Sequence, residues 1–178
     1  MRLFVALDLP PMLRMRLAGL CGGIPGARWV PPDNFHLTLR FIGEVQSWQA
    51  QEIDDALAAV RGRGFSLTLA GVGTFARAGR VHALWVGVER NERLDHLQSK
   101  IETALQRAGL DPERRRFAPH VTLARLDETV SEAKLAGYVQ AHNLFRSDPV
   151  PVEHFTLFSS RLGKDAAVYT PEVDYALA

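Results

Sequence analysis

The sequence predicts an α+β fold with mixed or antiparallel sheets, and three observations support that class. The segments follow the order strand, helix, strand, helix, strands, helix, strand, helix, strands, which is typical of sheets that carry helices on one face. Many of the strand-like segments alternate apolar and polar residues, which favours antiparallel or mixed pairing with one face exposed. The 178 residues are 47% hydrophobic and 23% charged, and no linker-like stretch divides them. We therefore expect residues 1–178 to form a single domain.

The chain begins with an apolar strand that leads into a helix. Residues 2–8 are largely apolar and end at Asp8, which predicts a strand. Pro10 and Pro11 suit the first turn of a helix, which we expect to run to about Leu20.

A loop rich in glycine and proline separates this helix from the next strand. Residues 21–26 contain three glycines and one proline. Residues 35–42 alternate apolar and polar side chains and end at Gly43, which predicts a strand. Ser47 is a suitable N-cap for a helix that continues to about Val60.

The second half of the chain continues the same alternation of elements. Residues 65–70 and 81–88 predict strands, and the turns between them are assigned to Gly71, Gly73 and Gly79. Asn91 can cap the next helix, and Gly109 can end it. Apolar residues recur at helical spacing between them, at Leu94, Leu97, Ile101, Ala104, Leu105 and Ala108. The remaining predicted elements are a strand at 119–124, a helix at 131–142 and strands at 151–159 and 167–175.

Charge, cysteine content and hydropathy narrow the class of protein. Twenty-one Lys and Arg residues against 20 Asp and Glu residues leave a net charge of +1, so no overall positive field draws nucleic acid from a distance. Cys21 is the only cysteine, so the chain cannot form an intramolecular disulfide. The five apolar residues after Arg2 are too few for a secretory signal, and no run approaches the roughly 18 apolar residues of a membrane span. We expect a cytoplasmic monomer that does not contact a membrane.

The pattern His-x-Thr-Leu occurs in two of the predicted strands. Residues 36–39 read HLTL and residues 120–123 read HVTL. Because residues i and i+2 of a strand share a face, each copy places an imidazole beside a hydroxyl while its apolar residues face the core. Residues 154–157 (HFTL) form a third copy, so the pattern alone does not decide which two copies act together.

Two such pairs suit the chemistry of a phosphodiester. His36 and His120 can serve as general acid and general base in one turnover, because an ordinary pKa near about 6.5 lets one ring be neutral while the other is protonated. The hydroxyls of Thr38 and Thr122 can donate hydrogen bonds to the non-bridging oxygens. Two histidines without a nearby pair of carboxylates are a poor zinc site. We therefore expect no metal and no other cofactor.

The residues around the first two copies resemble the 2H phosphoesterases. Within that superfamily they resemble the bacterial and archaeal RNA 2′,3′-cyclic phosphodiesterases, historically called 2′-5′ RNA ligases. The matching stretches are residues 2–10 (RLFVALDLP), 34–45 (NFHLTLRFIGEV) and 117–125 (FAPHVTLAR), and the resemblance extends over nearly the whole chain. It implies two lobes related by a pseudo-two-fold axis, with helices packed outside and one motif from each lobe in a central cleft. The third copy has no such context, so the resemblance selects the first two.

The resemblance also implies a role for each motif residue. His36 is the proton donor and His120 is the proton acceptor. Thr38 and Thr122 stabilise the charge that develops on the phosphate, and Arg125, five residues after His120, binds that phosphate. The implied reaction is hydrolysis of an RNA 2′,3′-cyclic phosphate to a 2′-phosphate, with weak 2′-5′ ligation as its reverse.

Strict strand alternation favours a different arginine. It places Arg40 on the face of His36, and it places Arg125 on the face opposite His120 unless the strand ends, bulges or twists near Ala124. Both Arg125 and Arg40 are therefore candidates for binding phosphate or substrate, and the resemblance favours Arg125.

Other basic and aromatic residues each have two interpretations. Arg114, Arg115 and Arg116 either form a solvated loop or contact RNA phosphates. Phe41 and Trp85 can stack on a base of single-stranded RNA. Both of these aromatic residues lie in apolar strands, so we expect them to pack in the core.

Three functions follow from these observations. The first is an enzyme that opens cyclic phosphates at RNA ends. The second keeps the same chemistry on small substrates, either 2′,3′-cyclic mononucleotides or ADP-ribose cyclic phosphate. The third is a nucleotide- or RNA-binding module without turnover, and the two paired histidines count against it because a binder does not need titrating groups.

Overall fold

The strands form two four-stranded antiparallel sheets in a computed structural model that describes residues 1–178. In chain order the elements are β1 (Arg2–Asp8), α1 (Pro11–Ala18), β2 (Arg28–Trp29), a 3₁₀ turn (Pro32–Asn34), β3 (His36–Glu44), α2 (Ser47–Ala58), β4 (Phe65–Leu67), β5 (Leu69–Arg77), β6 (Arg80–Val88), α3 (Glu92–Arg107), β7 (His120–Arg125), α4 (Glu132–His142), β8 (Val150–Val152), β9 (His154–Leu162) and β10 (Ala167–Ala176). The predicted α+β class with antiparallel pairing is confirmed.

The two sheets correspond to the two lobes. The first sheet has the order β10-β9-β1-β3, and the second has the order β2-β7-β6-β5. A small pair, β4 with β8, completes the strand pairing. The motif strands β3 and β7 contact each other where the sheets meet. No helix is both long and apolar enough to cross a membrane.

Helix α3 shows how the apolar pattern builds the core. Leu94, Leu97, Ile101 and Leu105 follow helical spacing, and each is at most 4% exposed. The side chain of Asn91 accepts a hydrogen bond from the backbone N–H of Leu94, as predicted for an N-cap. Each buried side chain of this size contributes about 1.5–3 kcal/mol. The helix packs on the apolar face of β3, opposite the face that carries His36 and Thr38.

The prediction that Gly71 and Gly73 mark turns is wrong, whereas Gly79 does lie in a turn. The segment 65–70 forms two strands, β4 and β5, and β5 continues through Gly71 and Gly73. Position 73 of this strand requires glycine, because a Cβ there would lie 2.5 Å from the ring of Trp85. The β5–β6 hairpin turns only at Gly79 and the residue before it, which both have positive φ.

Two smaller differences concern helix ends and a short strand. Helix α1 ends at Ala18, two residues before the predicted end. The N-cap of α2 is Gln46, whose side chain forms a capping box with Gln49, so Ser47 is the first helical residue. Strand β2 has only two residues, which is too short to produce a sequence pattern.

Candidate active site

The two motif histidines occupy equivalent positions at the starts of β3 and β7. Nδ1 of His36 lies 2.7 Å from the backbone oxygen of Asn34, and Nδ1 of His120 lies 2.6 Å from that of Ala118. Because a carbonyl oxygen only accepts, each Nδ1 carries the proton and donates it. Each ring therefore has its Nε2 as the atom that can take or give a proton.

The threonines share the faces of their histidines. Thr38 and Thr122 are half-buried, as are both imidazoles. Leu37 and Val121, which lie between the histidine and the threonine of each copy, are fully buried on the opposite face. The alternation predicted from the sequence is therefore present in this part of both strands.

A β-bulge in β7 returns Arg125 to the face of His120. Thr122 and Ala124 pair with consecutive residues of β6, so Leu123 between them has no partner. The extra residue shifts the alternation by one position. Leu123 and Ala124 are both fully buried, whereas Arg125 is exposed. Arg125 thus lies on the same side as the motif histidine, as the resemblance implies.

Strand β3 has a bulge at the equivalent position, and this bulge moves Arg40 off the face that carries His36. The residues that flank Leu39 pair with consecutive residues of β1. Leu39 and Arg40 are both buried, and Phe41 is 60% exposed. Arg40 therefore corresponds in position to Ala124 of β7, and Phe41 corresponds to Arg125. The expectation that Phe41 packs in the core is wrong, because strand parity changes at the bulge.

The contacts of Arg40 argue against its assignment as a phosphate ligand. Its Nε donates to Oε2 of Glu102 on α3 at 2.6 Å, and its Nη1 donates to the carbonyl oxygen of Phe41 at 2.6 Å. Its Nη2 donates to the carbonyl of Asp111. All three guanidinium nitrogens thus bind groups of the protein, and Arg40 ties β3 to α3. Strict alternation misplaced this residue because the bulge is not visible in the sequence.

Burial and neighbouring positive charge lower the pKa values of both histidines. Desolvation is the main cause for each ring. The charges of Arg14, His120 and Arg125 lower the pKa of His36 further, while its hydrogen bond to Asn34 opposes the shift. Arg125 also lowers the pKa of His120. Because Arg125 acts on both rings, the structure brings the two histidines and this arginine into one site.

Aromatic rings surround the imidazoles, although no sequence motif marks them. The centroid of His36 lies 5.0 Å from that of Phe4 and 5.2 Å from that of Tyr169. Phe75 meets His120 edge-on at 4.7 Å. A signal was available for Phe4, because five consecutive apolar residues in β1 indicate a strand covered on both faces.

The third copy of the pattern lies on β9, which β1 separates from the motif strand β3. His154 is exposed at the start of β9, and its Nε2 lies 4.0 Å from Oδ1 of Asp174. Thr156 donates a hydrogen bond of 2.6 Å to the same carboxylate. His154 is not among the charges that act on His36. The residues of the Arg114–Arg116 triplet are also exposed and lie in the loop before β7.

Comparisons with known proteins place the fold and the motifs in a family. A family model described as the 2′-5′ RNA ligase superfamily matches residues 15–164. The RNA 2′,3′-cyclic phosphodiesterase of Aeropyrum pernix is 35% identical over 148 residues, which cover 83% of this chain and 84% of the relative. The proteins of the same name from Thermotoga maritima and Escherichia coli are 32% and 30% identical. They align with 95% and 99% of this chain and with 91% and 96% of their own lengths.

Solved structures give the same result. Escherichia coli LigT complexed with 3′-AMP superposes with a TM-score of 0.80 and is 29% identical, covering 99% of this chain and 97% of that one. TT0787 of Thermus thermophilus superposes with a TM-score of 0.82 at 25% identity, covering 99% and 98%. The family model spans both motif strands and the greater part of the chain, so the protein belongs to the 2′-5′ RNA ligase superfamily of 2H phosphoesterases.

Proposed function

We propose that the protein is an enzyme that hydrolyses 2′,3′-cyclic phosphates at RNA ends. The observation that carries this proposal is the pair of histidines in matching geometry, each fixed by its Nδ1, with the charge of Arg125 acting on both. A cyclic phosphodiester needs a base for water, an acid for the leaving oxygen and a cation for the phosphate oxygens. The names of the curated relatives, RNA 2′,3′-cyclic phosphodiesterases, support the same substrate.

The proposed mechanism uses both Nε2 atoms in one displacement. Nε2 of His120 takes a proton from water as the water oxygen bonds to phosphorus. The bond from phosphorus to O3′ breaks, and Nε2 of His36 gives its proton to O3′. The products are a 2′-phosphate and a free 3′-hydroxyl. Thr38, Thr122 and Arg125 stabilise the charge on the non-bridging oxygens during the transfer.

Phe41 supports binding of a nucleoside on the side of His36. Its ring is exposed on the same face as the motif histidine, and its centroid lies 6.1 Å from that of Phe4. Exposed aromatic rings beside a phosphate site stack on the bases of single-stranded RNA. We therefore assign the terminal base of the substrate to Phe41.

We further infer that residues 1–178 act as one unit, as a monomer in the cytoplasm. One chain supplies both motifs, so the site needs no second copy. The single cysteine, Cys21, is half-buried and free, which suits a reducing compartment.

The direct test is hydrolysis of an oligonucleotide that ends in a 2′,3′-cyclic phosphate. We expect a 2′-phosphate product, identified by phosphorus NMR and by resistance to a 3′-specific phosphatase. A 3′-phosphate product would reverse the roles of the two histidines. Failure of the wild-type protein to open the cyclic phosphate would refute the proposed activity.

The lowered pKa values of the histidines set the expected pH dependence. Activity rises with pH as His120 loses its proton and falls as His36 loses its own, so the profile is a bell whose limbs belong to the coupled pair. Because burial lowers the pKa of His36, we expect the alkaline limb of kcat/KM to lie below about pH 6.5. A bound phosphate anion favours the imidazolium and raises both pKa values, so the kcat bell should lie at higher pH. Steady-state kinetics over a pH series measure both profiles, and a kcat/KM optimum well above pH 7 contradicts the assignment.

Removing either threonine hydroxyl should weaken transition-state binding. Thr38→Val and Thr122→Val keep the shape of the side chain but delete the donor, and losing a hydrogen bond to a charged group costs about 1–3 kcal/mol. We expect kcat/KM to fall roughly 5- to 150-fold in each valine variant. Thr38→Ser and Thr122→Ser retain the donor and serve as matched controls. Wild-type kcat/KM in both valine variants would show that the hydroxyls do not contact the phosphate.

A further inference from the structure

A cavity with an aromatic floor adjoins His36 on the face of the first sheet that is turned away from the main core. The rings of Phe4 and Phe158 stack at 5.2 Å with an angle of 11° between their planes, and both are nearly buried. Tyr169 of β10 stands edge-on to both Phe4 and His36, at 5.0 and 5.2 Å. These rings form a cluster separate from the main hydrophobic core. The cavity they line measures about 260 Å³ and includes His36 itself.

The polar groups around this cavity are mainly hydrogen-bond acceptors. Asp8, Asp33 and Asn34 line it together with Arg14. The Arg14 guanidinium donates to Asp8 and to two backbone carbonyls, so each of its three nitrogens already binds a group of the protein. The amide nitrogen of Asn34 donates to a backbone carbonyl of β10, which leaves its oxygen as the free atom. Asp33 is exposed and forms no ion pair.

This composition favours a nucleobase. The carboxylate of Asp33 and the side-chain oxygen of Asn34 can accept hydrogen bonds from the N–H groups of a base. The aromatic floor offers a stacking surface. Pockets for complete ligands usually measure about 300–1,000 Å³. A cavity of about 260 Å³ therefore suits one planar base and not a whole nucleotide.

The position of the cavity relative to the reaction identifies which base it receives, and this step rests on the proposed function. The attacking water lies on the side of His120, in line with the departing O3′ on the side of His36. The terminal ribose and the RNA that precedes it therefore leave the phosphorus on the side of His36. The terminal base is assigned to Phe41, which neighbours Phe4. The next base along the RNA is then assigned to the cavity that Phe4 and His36 line.

We propose that this cavity binds the base of the nucleotide that precedes the cyclic-phosphate end, and that it prefers a base with an amino group. Guanine, adenine and cytosine each carry an exocyclic amino group that can donate to Asp33 and to the oxygen of Asn34. Uracil carries no amino group, so we expect it to bind this cavity most weakly of the four bases. The site thereby distinguishes an RNA end from a cyclic mononucleotide.

The test compares cyclic-phosphate dinucleotides with a cyclic mononucleotide. The probes are uridine 2′,3′-cyclic phosphate and four dinucleotides that end in it, with G, A, C or U at the preceding position. A fifth dinucleotide has an abasic preceding residue. We expect kcat/KM for the G, A and C dinucleotides to exceed that for the mononucleotide and the abasic dinucleotide by about tenfold or more, with U between them. Equal kcat/KM for the abasic and the four complete dinucleotides overturns the proposal.

Two variants assign the effect to the cavity. Asp33→Asn removes an exposed carboxylate, and Tyr169→Leu removes an aromatic wall. Each should lower the ratio of kcat/KM for the G dinucleotide to that for the mononucleotide. Tyr169 contacts His36, so Tyr169→Leu can also change the rate of the chemical step. Such a change affects both substrates equally and therefore cancels in the ratio. Asp148→Asn changes an exposed aspartate that does not line the cavity, and it should leave the ratio unchanged. An unchanged ratio and base preference in Asp33→Asn and in Tyr169→Leu overturns the assignment. Should Tyr169→Leu not fold, Asp33→Asn alone decides.

The two possible failures are distinguishable. Hydrolysis of all probes at equal kcat/KM refutes the base site and leaves the proposed activity standing. If no probe is hydrolysed, the proposed activity fails, and calorimetry with 2′-phosphate dinucleotides tests the cavity directly. Tighter binding of the G dinucleotide than of the abasic one then supports the base site, and equal binding refutes it.

Discussion

We expect His36→Ala and His120→Ala each to lower the hydrolysis of an RNA 2′,3′-cyclic phosphate by at least about 100-fold, the low end for a lost general acid or base. Each ring has one nitrogen fixed by a backbone carbonyl, so only its Nε2 remains to move a proton. The rings that contact His36 and His120 are those of phenylalanine and tyrosine, and none of them is a second imidazole. The double variant should be little worse than either single one, since residues that act as a unit are not additive.

His154→Ala is the matched control for this prediction. It removes the histidine of the third His-x-Thr-Leu copy, which is exposed and lies near Asp174. We expect its kcat/KM to remain close to that of the wild type. Steady-state kinetics give the rates, and circular dichroism with thermal unfolding shows that each variant is folded. A folded His154→Ala protein without activity, or a folded His36→Ala protein with full activity, would assign the chemistry to the wrong copies.

Features that depend on regular periodicity were predictable from the sequence. The two motif strands begin within one residue of their predicted starts, and α3 buries four of the apolar residues named for it. Both predictions rely on alternation or helical spacing within one element, which side-chain type records directly. The His-x-Thr pairing succeeded for the same reason, because it needs only two residues on one face of a strand.

Features that depend on register or on distant parts of the chain were not predictable. The bulges at Leu39 and Leu123 leave no compositional mark, yet they decide whether Arg40 or Arg125 faces the histidines. The aromatic wall beside His36 comes from Tyr169, far along the chain on β10. That strand is fixed near the site by the hydrogen bond from Asn34 to the backbone of Ala167. Such contacts arise from the tertiary fold and not from any local pattern.

Arg125→Ala should lower kcat/KM by roughly 10- to 150-fold, which corresponds to about 1.5–3 kcal/mol for hydrogen bonds to a charged group. The bulge after Thr122 places this exposed guanidinium on the face of His120, and no carboxylate of the protein occupies it. Its planar fork matches the geometry of a phosphate and remains charged at every working pH. Arg125→Lys keeps the charge but not the planar fork, so we expect its kcat/KM to lie between that of the wild type and that of the alanine variant.

Arg40 provides the contrast that tests this assignment. Arg40→Met removes a guanidinium that is 7% exposed and paired with Glu102, and breaking a buried pair costs about 3–5 kcal/mol of stability. We therefore expect Arg40→Met to lower the midpoint of thermal unfolding while the folded protein still binds a 2′-phosphate product. Arg125→Ala should do the opposite, with weakened product binding and nearly unchanged stability. Calorimetric titration below the unfolding range of both variants separates the two effects. Loss of product binding in folded Arg40→Met, together with intact binding in Arg125→Ala, would mean that Arg40 leaves Glu102 and reaches the phosphate when substrate is bound.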